Sequence, residues 1–258
     1  MKKVDKLRSK KRTVIIKVGT EVLRNKRAFL CIARQAMLLK AMGFGVIIVT
    51  SGAVAAGRRE IAEAGDTTRF IKGDIASVGS LPLLMRWADV FAPKYRVAQF
   101  WIEHSHFRNK WKRRRLRISL RRFAFSRCIP IVNENDVVSA IEIVKMTKKG
   151  GDNDPLSRIV AVLVDAYCLA LVTKAGGVYD KDPEQHADAK LFPELSVRDA
   201  LPRGKQAKPK NGNSILSKKR EACKAFRKGI RSGIVGTRER NAILKLATGK
   251  QAGTVIVA

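Results

Sequence analysis

Four stretches of this chain string apolar residues together without alternation: Val14-Ile15-Ile16, Val46-Ile47-Ile48-Val49, Ile129-Pro130-Ile131-Val132 and Cys168-Leu169-Ala170-Leu171-Val172. A strand with one wet face alternates apolar and polar side chains. Continuous runs therefore belong to strands covered on both faces. Between them, apolar residues recur at helical spacing, as in Leu30, Ala33, Met37 and Ala41 of a helix expected over 28–42 and stopped by Gly43. The alternation of strand and helix predicts an α/β fold, a three-layer αβα sandwich around a mainly parallel central sheet. Further strands are expected at 95–100 and 254–257, the last closing the sheet. Further helices are expected over 75–91 despite Pro82, over the basic run 108–122, from Asp154 (N-cap) and Pro155 to Asp165, and over 216–228.

At 258 residues the chain suits one large core, and no repeat or low-complexity linker divides it, so 1–258 is read as a single domain behind a basic tail of about residues 1–12. The apolar part of the amino-terminal segment, Val14-Ile15-Ile16, is too short for a secretory signal. The longest apolar stretch, 159–172, is broken by Asp165 and is shorter than the ~20 residues a spanning helix needs. A soluble cytoplasmic protein is expected. Cys31, Cys128, Cys168 and Cys223 lie far apart with mostly apolar neighbours, as buried thiols in a reducing compartment do. His104-Ser105-His106 lacks a nearby carboxylate or Cys to complete a metal set.

Fifty-three Lys and Arg stand against 22 Asp and Glu, a formal net charge of +31. A nucleic-acid partner and a solvated basic surface both account for such an excess. The densest run, from Arg108 to Arg122, interleaves Phe107, Trp111, Leu116, Leu120 and Phe123 at helical spacing. That pattern is an amphipathic helix with a basic outer face. An RNA-contacting helix with aromatic stacking is the sharper reading, disfavoured because no RNA-binding signature accompanies it.

In so basic a chain, the polar clusters Asn133-Glu134-Asn135-Asp136 and Gly150-Gly151-Asp152-Asn153-Asp154 read as the lining of a pocket. Lys17 interrupts a buried strand just before a Gly-Thr turn, either snorkelling from the strand end or aimed at a phosphate. The small-residue junction Thr50-Ser51-Gly52-Ala53 exposes backbone N–H groups suited to anions. Lys218, in the first turn of a helix after a polar loop, offers a second cation, while Asp152 and Asp154 would hold Mg2+ or orient the lysines. Two lysines, backbone donors and an acid make a phosphoryl-transfer set, although neither a P-loop nor the protein-kinase motifs are present.

Lys17-Val18-Gly19-Thr20, Val49-Thr50-Ser51-Gly52-Ala53-Val54-Ala55-Ala56-Gly57, Ile131-Val132-Asn133-Glu134-Asn135-Asp136 and Gly151-Asp152-Asn153-Asp154 follow one another in an order that resembles the glutamate 5-kinase family of the amino acid kinase superfamily. Gly176-Gly177-Val178-Tyr179-Asp180 and Asp182-Pro183 resemble that family's segment after its nucleotide-binding strand, so the likeness runs over about 14–236. The resemblance implies the amino acid kinase fold and ATP-dependent phosphorylation of the L-glutamate side-chain carboxylate, the first step of proline synthesis. It implies catalytic roles for Lys17, Asp154 and Lys218, and glutamate binding by Ser51, Asp136 and Asn153. For the nucleotide it implies Lys17, Thr173, Lys174 and the segment Gly212, Asn213, Ser214, Ile215, Leu216, Ser217, Lys218. Mg2+ would be held mainly through ATP, and a homo-oligomer is expected, with no membrane partner.

Two departures stand out. Lys174 replaces the family's usual Asp, and Asn211-Gly212-Asn213-Ser214-Ile215 replaces a glycine-rich loop, which narrows its access to positive φ. The carboxy-terminal PUA domain of many bacterial members is not expected within 1–258. Two alternatives stay open: another acceptor within the superfamily, and a pseudoenzyme that keeps the fold while its basic surface binds RNA.

Overall fold

A computed structural model describes residues 11–103, 105–138, 153–198 and 215–258. The four apolar runs form β1 (Thr13–Val18), β2 (Gly45–Thr50), β4 (Cys128–Glu134) and β5 (Cys168–Thr173), with β3 (Arg96–Ile102) beside β4. Two short strands, β6 (Val178–Tyr179) and β7 (Leu191–Phe192), pair with each other. The main sheet is completed by β8 (Glu194–Ser196), β9 (Arg231–Gly236) and β10 (Thr254–Val257). Its order is β3-β4-β2-β1-β5-β9-β10-β8, parallel except where β10 meets β9. The expectation that 254–257 closes the sheet is corrected, because β8 pairs outside β10. Three residues after the Pro193 break are too short to show a pattern in sequence.

The helices are α1 (Thr20–Leu23), α2 (Lys26–Ala41), α3 (Ala53–Glu63), α4 (Lys72–Phe91), α5 (Ser105–Arg108), α6 (Lys110–Ala124), α7 (Asp154–Leu163), α8 (Ile215–Phe226) and α9 (Ala242–Ala247). Side chains of a strand alternate between faces. Val14, Ile16 and Val18 therefore join Phe29 and Ile32 of α2, Trp87 and Phe91 of α4 and Leu246 of α9 in one buried cluster. Ile15, Ile47 and Leu169 pack on the other side against Leu120 of α6, Val160 of α7 and Ala222 of α8. Both faces are dry, which is why the strands carry no polar alternation. Lys17 shares the face of Ile15 by the same rule, and so points towards α7 and α8.

Gly43 takes φ 84 just past α2, a left-handed stop that a residue with a Cβ rarely adopts. The helix foreseen over 75–91 begins at Lys72 and stays continuous through Pro82. On α6 the basic outer face is realised: Leu120 and Ala124 are buried, Arg108 to Arg115 are exposed, and Trp111 is 78% exposed. Asn109 caps it, its Oδ1 accepting from the N–H groups of Trp111 and Lys112. Its far end is tied to the end of α7 by Arg117–Asp165 and by Arg121 donating to the Val164 carbonyl. Cys168 and Cys223 are buried, and burial, opposed by Arg231, pushes the Cys168 thiol up to about 12. Of the histidine pair, His104 lies outside the described residues, and His106 Nδ1 accepts from the Glu103 N–H.

Candidate active site

Three parallel strands, β4, β2 and β1, end side by side, and each hands over to polar residues where such sheets place ligands. After β2 the chain turns at Gly52, whose φ of 107 demands glycine, and enters α3. α3 and α4 then press backbone to backbone. A Cβ on Gly57 would sit 1.8 Å from the Ile75 carbonyl oxygen, and one on Gly79 would sit 2.0 Å from that of Ala53. This contact fixes the Ser51–Gly52 corner, and the Trp87 indole of α4 steadies it further by donating to Thr50 Oγ1 at 3.2 Å.

Lys17 is fully buried. Its Nζ lies 2.5 Å from Asp154 Oδ1, and Lys218 Nζ lies 3.1 Å from Asp154 Oδ2. Ranges of 137 and 64 residues separate these partners in sequence, and the sheet brings them to one point. Two cations meet one carboxylate where water is excluded. Desolvating such ions costs several kcal/mol apiece, which only close opposite charges offset.

The expected helix start is corrected by one residue. Asn153, not Asp154, is the N-cap of α7, which ends at Leu163 rather than 165; Asp165 already takes φ 51. The Asn153 side chain makes no cap bond. Its Nδ2 instead donates to the Thr50 carbonyl at 2.6 Å and to Asn133 Oδ1 at 2.8 Å, tying α7 to the ends of β2 and β4. This leaves Asp154 one residue inside the helix, facing the lysines.

A cavity of about 310 Å³ opens beside this cluster, lined among others by Ser51, Gly52, Asn133, Asp136 and Asn153. Ser51, Asp136 and Asn153, which the sequence singled out, are thus brought to one place. The sequence reading missed the cations Arg24, Arg58 and Lys72 on the same wall. Their signal was that Arg24 and Arg58 each follow a strand-end glycine turn within a helical turn or two. Burial pushes Glu134 up to about 7, helped by Asp136 and opposed by Lys72. Burial also raises Asp136, again against Lys72. A mobile cation placed here would be drawn to Asp136, and a carboxylate to the three basic residues.

The nucleotide residues proposed from sequence are less gathered. Gly212, Asn213 and Ser214 lie outside the described residues, as do Gly150, Gly151 and Asp152. Ser217 and Lys218 are buried in α8, Ile215 packs on the core beneath it, and Leu216 is half exposed. Thr173 is spent on a turn, its Oγ1 accepting from Gly176 N–H at 2.9 Å. Lys174 faces outward in an exposed ion pair with Glu184 at 2.6 Å. It lines a second cavity of about 540 Å³ together with Glu21, Arg24 and Arg238.

The model of the amino acid kinase family matches residues 12–236. The chain is 34% identical to a glutamate 5-kinase of Pasteurella multocida over 94% of its own length and 68% of the relative's. Its identity to the glutamate 5-kinase of Nitrosomonas eutropha is 32%, over 96% and 68%. Among solved structures, a carbamate kinase from Giardia lamblia bound to AMP-PNP superposes with a TM-score of 0.65 at 13% identity, covering 95% of this chain and 98% of that one. A UMP kinase from Bacillus anthracis does so at 0.62 and 17%, covering 95% of each. At such identities these two speak for the fold alone.

Proposed function

The chain belongs to the amino acid kinase family, and on that premise we propose that it transfers the γ-phosphoryl group of ATP to the side-chain carboxylate of L-glutamate, giving glutamyl 5-phosphate and ADP. The observation that carries the reading is the buried Lys17–Asp154–Lys218 cluster next to Asn153, which lines a cavity together with Ser51 and Asp136. The relatives' names supply the acceptor, and the cavity suits it. An amino acid with a second carboxylate brings one ammonium for Asp136 and one α-carboxylate for the Arg24, Arg58 and Lys72 wall.

The chemistry asks little of the protein beyond placement and charge. A glutamate side chain, of ordinary pKa about 4.3, is already ionised at neutral pH and attacks without a general base. One of its oxygens forms the new bond to phosphorus while the bond to the β-phosphate oxygen breaks and ADP leaves. Lys17 and Lys218 neutralise the oxygens of the moving phosphoryl group, and Asp154 holds both ammonium groups towards it. Ser51 and Asn153 orient the acceptor. Mg2+ suits this site as a companion of ATP rather than as a resident ion. Each Asp154 oxygen already faces a lysine, and among the described residues no cluster of three His, Cys, Asp or Glu forms a cage. The nucleotide would then reach the lysines from the α8 side, passing Thr173 and Ser217.

No helix among the described residues is long and apolar enough to cross a membrane. We place the reaction in the cytoplasm, with proline synthesis as its use and a homo-oligomer as its working form. ADP release coupled to NADH oxidation, run with L-glutamate, L-aspartate or no acceptor, tests the assignment. Release should require L-glutamate. Equal release without acceptor would remove the acceptor reading, and preference for L-aspartate would reassign it within the family.

A further inference from the structure

One helical turn beyond the lysine cluster, a second ion pair crosses the same two helices. Arg158 Nε lies 2.6 Å from Glu221 Oε2, with Glu221 almost wholly buried and Arg158 a quarter exposed. Arg158 follows Asp154 by four residues on α7, and Glu221 follows Lys218 by three on α8, so each pair of residues shares one helix face. The interface therefore has two rungs. The polarity is crossed: acid on α7 and base on α8 in the first rung, base on α7 and acid on α8 in the second.

That crossing makes the register unique. If α8 slid one turn forward along α7, Lys218 would face Arg158; if it slid one turn back, Glu221 would face Asp154. Either slip sets like charges against each other away from water, where repulsion is strong. A buried ion pair adds little net stability, and fixing a register is its best-attested use. Glu221 is well prepared for that use. Burial pushes its carboxyl up, but hydrogen bonds from Arg158, Lys224 and Arg220 outweigh this and hold it below its ordinary value. Lys224 and Arg220 both reach Oε1 from within α8, so Oε2 is turned across to Arg158.

We propose that the Arg158–Glu221 pair is a positioning device that holds α8, and with it the Lys218 ammonium, in place against α7 while phosphate oxygens compete with Asp154 for that ammonium. The inference rests on the phosphoryl-contacting role proposed for Lys218. The first rung cannot hold the register alone during turnover, because the lysine that forms it is drawn towards the nucleotide. The second rung touches no substrate and stays closed throughout.

The test is a double-mutant cycle read by calorimetric affinity for MgATP in wild type, Arg158→Met, Lys218→Met and the double variant. Arg158→Met keeps an unbranched apolar stem and leaves Glu221 with Arg220 and Lys224, so the fold is expected to persist by circular dichroism. Affinity should fall about tenfold in Arg158→Met but by less than about twofold when Lys218 is already Met, because residues coupled through the seating of one helix are not additive. Arg158→Lys, which keeps the charge, should lose no more than about threefold, and it serves as the second arm if Arg158→Met does not fold. An equal fall in both backgrounds, or no fall in either, overturns the proposal. Calorimetry needs no acceptor, so the two readings fail separately. Wild type that binds ATP but ignores glutamate removes only the acceptor assignment, whereas wild type that binds no ATP removes both.

Discussion

In the Lys17–Asp154–Lys218 cluster two lysines already meet a carboxylate inside the protein before any substrate arrives; in the adjacent cavity Asp136, Lys72, Arg24 and Arg58 stand around an open space. The first region is dry and held on three elements of the core. The second is wet enough to exchange ligand, and its acids sit above their ordinary pKa because burial disfavours their charge. The contrast separates two tasks. Under the proposed function, fixed cations in the dry cluster would serve the moving phosphoryl group, whose charge changes during reaction, whereas the looser charges of the cavity would serve recognition of an acceptor that keeps its ammonium and α-carboxylate throughout.

If that division is right, damage to the two regions should appear in different kinetic constants. Lys17→Ala should lower kcat by about two to three orders of magnitude with glutamate KM little changed, and Lys218→Ala should fall in the same range. Circular dichroism should match wild type. Undiminished turnover in folded Lys17→Ala would move the chemistry out of the dry cluster.

Asp136→Asn should act on the other region. Glutamate KM should rise about 10- to 30-fold, with ATP KM within about twofold, as expected for losing one half-buried charge partner of the substrate. Parallel rises in both constants would mean that Asp136 serves the nucleotide or the fold instead.

The raised Glu134 pKa sharpens the comparison through pH. Because the folded-state value, about 7, lies above that of an exposed glutamate, the folded protein binds this proton more tightly than the unfolded chain. The stability it contributes is full below about pH 4.5 and is lost as pH rises through about 7. Over that window the melting temperature of wild type should fall by a few degrees relative to Glu134→Gln, which lacks the titration. Identical pH profiles for the two proteins would show that the carboxyl is already charged in the fold.

Particular residues show what was readable beforehand. Lys17 stands out as a charge inside an apolar strand, its full burial removes the snorkelling alternative, and the period of two assigns its face once the strand is known. Asp154 was placed one position off, since sequence cannot tell that Asn153 turns its amide to Thr50 and Asn133 rather than to its own helix. Lys218 is legible as a second cation at a helix start after a polar loop, but nothing local says that α8 packs on α7. The Arg158–Glu221 pair is hidden for the same reason: 63 residues separate partners whose meeting depends on sheet order. Strands β8 and β9 escaped notice because one is three residues long and the other opens with Arg231-Ser232-Gly233.

The smallest effect is expected at the surface. Replacing Arg113, Arg114 and Arg115 by Gln, on the exposed half of α6, should leave kcat within about twofold. Binding to single-stranded RNA should be weak and sequence-independent, and should vanish near about 0.15 M salt. Nanomolar RNA affinity at that salt, lost in the triple variant, would make α6 a functional surface in its own right.

The most direct measurement traps the product. An acyl phosphate reacts with hydroxylamine to give a hydroxamate, so L-glutamate, MgATP and hydroxylamine should yield glutamyl hydroxamate in step with ADP in wild type, with both products lost together in Lys17→Ala. ADP formed without hydroxamate, or hydroxamate formed equally well by Lys17→Ala, would contradict phosphoryl transfer to the glutamate carboxylate at the Lys17–Asp154–Lys218 cluster.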